Sequence, residues 1–91
     1  MTSCAVDITN PLGLHARAAA RFVHAASAFV SRIRVGCGNR EMDGKSIMGL
    51  LLLAAAHGTT ITISTDGADE IAAIAALRTL VERGFEEAPC A

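Results

Sequence analysis

The sequence predicts an α+β fold in which a sheet is covered by helices on one face only. Three observations lead there. Stretches that alternate between apolar and polar residues are interleaved with stretches of helical period, in the order strand, helix, strand, strand, helix, strand, helix (βαββαβα). Polar positions of the alternating stretches, namely Asp7, Arg32, Arg34, Thr60 and Thr62, would serve a solvated outer face. At 91 residues, with 52% hydrophobic and 19% charged side chains, the chain suffices for one packed domain over 1–91.

The first strand is read over Cys4 to Thr9, with Cys4, Val6 and Ile8 on one side. Asn10-Pro11-Leu12-Gly13 is rich in turn formers and stops it. From Ala16 the period becomes helical: Ala19, Phe22, Val23, Ala26 and Val30 share one face, while Arg17, Arg21 and His24 share the other. That helix should end between Ser27 and Ser31. Arg32 to Cys37 alternates again, and Gly38-Asn39 turns the chain into a short strand over Arg40 to Asp43. Ser46 is the expected N-cap of a short helix from Ile47 to about Ala54, closed off by Gly58. Thr60 to Thr65 is the clearest alternation in the chain. A long helix follows from about Asp69 to Arg83, burying Ile71, Ile74, Leu77 or the stem of Arg78, and Val81, and Glu86 to Ala91 should be a frayed tail. With aromatics at 3% and no Trp or Tyr, the core must come mainly from Ile, Leu, Val and Ala.

Composition narrows the function. A net charge of -1 leaves no basic excess for nucleic acid. Cys4, Cys37 and Cys90 have neither CxxC spacing nor a nearby histidine, so reduced thiols are expected and no metal site or cofactor. No basic segment leads into an apolar one at the N-terminus, and the longest apolar run, Ile47 to Ala56, is too short to span a bilayer. A soluble, cytoplasmic protein without membrane insertion is expected.

His15 stands where a loop becomes a helix, within Gly13-Leu14-His15-Ala16-Arg17. The first N–H groups of a helix lack internal partners, and the helix dipole adds positive charge there. The same positive end disfavours imidazolium, so His15 is expected to be neutral and nucleophilic. A phosphoryl group on it would meet the N–H groups of Ala16 and Arg17, with the Arg17 guanidinium as counter-charge. Physics alone does not separate this from an ordinary solvated histidine at a helix start. His24 and His57 lack the cradle and read as surface residues.

Ile47 to Leu53 presents a second anomaly. At about 100° per residue its apolar side chains surround the helix, while a helix on a sheet buries one side. Some must face water, and an exposed apolar patch on a small protein marks a partner surface.

Asn10-Pro11-Leu12-Gly13-Leu14-His15-Ala16-Arg17 resembles the active-site signature of HPr, the histidine-containing phosphocarrier family of the bacterial phosphotransferase system. Lys45-Ser46-Ile47-Met48-Gly49-Leu50 resembles that family's second signature, around its regulatory serine. Separation and total length also match, so the likeness covers nearly the whole chain. One departure is visible: Ala18 stands where many members have proline, which suits a first helical turn.

The resemblance implies an open-faced β-sandwich, a four-stranded antiparallel sheet with three helices on one face. It implies a monomeric carrier rather than an enzyme. His15 would accept a phosphoryl group on Nδ1 from enzyme I, originally from phosphoenolpyruvate, and pass it to a histidine of an enzyme IIA protein. Arg17 would neutralise the group in transit. The use would be sugar uptake or nitrogen-related regulation. Ser46 would be a phosphorylation site for an HPr kinase/phosphorylase, compatible with its role as a cap. Ile47, Met48 and Leu51 would point outward beside His15, with Leu50 and Leu53 inward, and Arg17, Arg21 and His24 would complete the docking surface. The alternative from another class is an α/β binding or regulatory module without phosphoryl transfer, for which His15 would be dispensable.

Overall fold

A computed structural model of the chain describes residues 1–86. Its strands are β1 (Thr2–Asp7), β2 (Arg32–Cys37), β3 (Arg40–Asp43) and β4 (Thr60–Asp66), and its helices are α1 (Ala16–Ala26), α2 (Ile47–Leu53) and α3 (Glu70–Glu82), followed by a 3-10 turn at Gly84–Glu86. The four strands form one antiparallel sheet in the order β1-β4-β2-β3. Each strand's alternation sorts its side chains between two faces. Val6, Ile33, Val35, Ile61 and Ile63 are buried under the helices, while Asp7, Arg32, Arg34, Thr60 and Thr62 are exposed on the open face. Helix α3 lies over β1 and β4, α2 over β3 and β2, and α1 packs against both helices. This is the sheet covered on one face that the element order predicts, and the open-faced sandwich that the resemblance implies.

β1 lies two residues earlier than the alternation suggested, with Thr2 opposite Thr65 and Asp7 opposite Thr60. A two-residue shift leaves every side chain on its expected face, because the pleat repeats every two. Ile8 remains buried, its N–H donating to the Thr59 carbonyl and its own carbonyl accepting from Gly58.

Two expected core residues are outside. Helix α1 stops at Ala26, so Val30 falls in the connection to β2 and is 80% exposed. Ile71 is 68% exposed. The buried stripe of α3 is Ala73, Ile74, Leu77 and Val81, and Ile71 sits about 120° around the helix from its centre at Leu77. A third difference is at the C-terminus. Gly84, Phe85 and Glu86 all have left-handed backbone angles, which turn the chain back and bury Phe85 completely. Glu86 therefore belongs to a closing turn, not to the tail; residues 87–91 of that expected tail lie outside the described residues.

One polar clamp ties the start of α3 to the start of β2. The Asp69 carboxylate accepts the N–H groups of Val30 (2.9 Å) and Ser31 (3.0 Å) and the Ser31 hydroxyl. The hydroxyl above all, then the Val30 N–H, holds the carboxyl below its ordinary range. A depressed folded value stabilises above the unfolded value of about 3.9 and loses that contribution as pH falls through the folded one. Asp69→Asn should therefore flatten the acid limb of stability. Urea midpoints measured from about pH 5 to about pH 2 should converge with those of the parent at the acid end. Residual slope will remain, because Glu70 is held low as well by the Thr2 hydroxyl and the N-terminal ammonium.

Candidate functional site

The loop between β1 and α1 is built on a glycine. Gly13 has φ +67, and a Cβ there would stand 2.5 Å from the carbonyl oxygen of Ala55. The close approach lets the Leu14 N–H donate to that same oxygen at 2.8 Å, so the loop is seated on the segment that leaves α2. Leu14 is buried, and the next residue, His15, emerges half-buried at the start of α1.

His15 is the N-cap of α1. Its backbone is extended (φ -85, ψ -178), its carbonyl accepts from Ala19, and its ring nitrogen Nδ1 accepts the Arg17 N–H at 3.3 Å. Serine, threonine, aspartate and asparagine normally fill this role. An imidazole that accepts at Nδ1 while neutral carries its proton on Nε2, and its in-plane lone pair faces the Arg17 N–H of the first turn. Ala16 and Arg17 are exposed, so this end of the helix is open to solvent. The Arg17 guanidinium makes no hydrogen bond or ion pair among the described residues. An imidazole, an amide donor and an available cation thus occupy one helix end. Ala18 is fully buried beneath them.

Other expected site residues sort less simply. Arg21 and His24 are exposed on α1, but with Arg17 they line a groove against α3 whose other wall includes Ala76, Thr79 and Leu80. The Arg21 guanidinium donates to the Phe85 carbonyl at 2.8 Å and so closes the C-terminal turn. That engagement across 64 residues has no local sign in the sequence. On α2, Met48 is 69% exposed and Ile47 42%, while Leu50 and Leu53 are buried. Leu51 is only partly exposed and packs on the core, and the outward leucine is Leu52, at 56%. Ser46 caps α2, its Oγ accepting the Gly49 N–H at 3.0 Å. Ser46→Ala should lower the stability of the chain by about 1 kcal/mol, read from the urea midpoint, and Ser46→Asp should recover most of it.

Cys4 and Cys37 are half-buried free thiols, and Cys90 lies outside the described residues. Burial raises the Cys4 thiol above its ordinary range, partly opposed by Arg78. Among the described residues no group of His, Cys, Asp and Glu could hold a metal ion, and no helix is long and apolar enough to cross a membrane.

Residues 2–83 match the family model described as the PTS HPr component phosphorylation site. The chain is 48% identical over 87 residues to a phosphocarrier protein HPr of Neisseria meningitidis serogroup A, covering 96% of this chain and 98% of that one. It is also 48% identical over 80 residues to the phosphocarrier protein HPr of Cupriavidus necator, covering 88% and 90% respectively. Among solved structures, HPr-C-His from Thermoanaerobacter tengcongensis superimposes with a TM-score of 0.92 at 43% identity, over 97% of this chain and 99% of that one.

Proposed function

The chain belongs to the HPr family, the phosphocarriers of the phosphotransferase system, and from that premise we propose that His15 is its phosphoryl acceptor. The group comes from enzyme I, drawn originally from phosphoenolpyruvate, and goes on to a histidine of an enzyme IIA protein. The observation that carries this reading is the Nδ1 lone pair facing the Arg17 N–H at the mouth of α1.

The chemistry follows from that orientation. The Nδ1 lone pair attacks phosphorus, and the N–P bond forms as the bond from phosphorus to enzyme I breaks. Nε2 keeps its proton, so the nucleophile needs no general base. The Arg17 N–H, released from Nδ1, turns to a phosphoryl oxygen, the Ala16 N–H offers a second donor, and the Arg17 guanidinium offsets the charge. Placing a dianion at a helix N-terminus stabilises it by about 0.3–1 kcal/mol when exposed, which is small enough for the group to leave again. A carrier must release what it takes. In this reading the chain acts as a carrier and not as an enzyme, in the cytoplasm and as a monomer.

Docking to enzyme I and enzyme IIA falls to Ile47, Met48 and, in place of the core-packed Leu51, Leu52, together with Arg17, Arg21 and His24; the two guanidiniums favour acidic partners and salt-sensitive association. Ser46 is the site for an HPr kinase/phosphorylase, since a phosphate there would meet the start of α2. Transfer assays against sugar-specific and nitrogen-related enzyme IIA proteins separate the two branches.

The direct test is incubation with phosphoenolpyruvate and a bacterial enzyme I, followed by intact-mass measurement. One phosphoryl adduct, lost on mild acid treatment, is the expected result. No adduct, or one that survives acid as a serine ester would, defeats the reading.

A further inference from the structure

We propose that Asn10 is a positioning residue for His15, acting through the carbonyl of Gly13; its effect on transfer rests on the acceptor role given to His15 above. Asn10 is only 4% exposed, although it is polar and belongs to a loop. Buried polar side chains are retained where their hydrogen bonds hold something in place. Its Nδ2 donates to the Gly13 oxygen at 2.7 Å. The same oxygen accepts the His15 N–H at 3.0 Å, and the Gly13 N–H returns to the Asn10 carbonyl at 3.1 Å.

These bonds converge on one peptide group. The Gly13–Leu14 peptide has its oxygen held by Asn10 and His15, and its N–H held by the Ala55 carbonyl. A peptide plane fixed at both ends cannot rotate. That restraint matters because Gly13, at φ +67 and without a Cβ, is the softest joint before the nucleophile. The direction in which the chain leaves Leu14 sets the extended backbone of His15, and that backbone aims Nδ1 at the Arg17 N–H. Asn10 touches no reacting atom. It holds the joint whose rotation would swing the imidazole off the helix end.

The test reads the ring before it reads the reaction. In the ¹⁵N-labelled chain, His15 should show a single Nε2–H tautomer, and the Asn10 side-chain amide should exchange with solvent more slowly than that of the exposed Asn39. Asn10→Ala removes the donor, and Asn10→Asp keeps the shape while exchanging the NH2 for an acceptor. Each variant that circular dichroism shows to be folded should display a mixture of His15 tautomers. It should accept the phosphoryl group roughly ten- to a hundredfold more slowly, with unchanged final occupancy. A folded variant that keeps both the ring shifts and the rate of the parent overturns the proposal. So does exchange at Asn10 as fast as at Asn39, a measurement on the unmodified chain that stands even if both variants unfold. Because tautomers and amide exchange are read without any donor, a chain that never accepts a phosphoryl group defeats the acceptor role alone and leaves the positioning of the ring to be judged separately.

Discussion

His15→Asn should fold as stably as the parent and take up no phosphoryl group from enzyme I. The capping bond and the proposed acceptor role meet at this position, and His15→Asn compared with His15→Ala separates them. As an N-cap, the imidazole offers the Arg17 N–H a bond of 3.3 Å, longer than a well-formed one. His15→Ala removes both cap and nucleophile, and should cost at most about 1 kcal/mol of stability. Asparagine is among the strongest N-caps, so His15→Asn should recover that loss or exceed it. Neither side chain can form an acid-labile N–P bond in the imidazole's place, and occupancy by intact mass should fall to background in both. Retention of the adduct in either variant would move the acceptor to another residue. His24 and His57, both exposed, would then be the first to replace.

How much of this was legible beforehand depended on how local each signal was. The order of elements was, because alternation and helical period are written in neighbouring residues: Ile61 and Ile63 against Thr60 and Thr62 need no knowledge of the rest of the fold. Ser46 was legible for the same reason, since a cap is a relation among four consecutive residues, whereas His15 was placed at the helix start without its own capping bond to the Arg17 N–H being foreseen. What escaped was set across long separations. Asp69 reaches Ser31 over 38 positions, and Arg21 reaches the Phe85 carbonyl over 64. Ile71 was misplaced because α3 is apolar on more than one side, so its period did not single out the stripe that faces the sheet. The buried Phe85 did carry a local sign. Arg83-Gly84-Phe85 sets a glycine just past a helix and an apolar residue after it, the pattern by which a helix end folds back on itself. The interior placement of Asn10 had none: an asparagine before a proline reads as an ordinary turn former.

The largest stability effect outside the core is expected at Gly13. Gly13→Ala meets two separate penalties. At φ +67 an L side chain occupies the left-handed region, at about 1–2 kcal/mol. The new Cβ also stands 2.5 Å from the Ala55 oxygen and 2.9 Å from the Ala56 Cα, both backbone atoms that cannot rotate aside. Relieving such a clash costs about 1–3 kcal/mol more. Gly38→Ala supplies the control, because its φ of +61 is nearly the same and nothing lies within 4 Å of its Cβ. The difference between the two variants isolates the clash. Its relief lifts the loop from Ala55, breaks the Leu14 N–H bond, and lets His15 drift from the helix mouth, so Gly13→Ala should also slow phosphoryl acceptance under conditions where both variants remain folded. Gly38→Ala, in the turn between β2 and β3, should leave the rate unchanged. If the two variants lose equal stability and accept at equal rates, then the loop does not rest on Ala55, and the placement of the imidazole needs another cause.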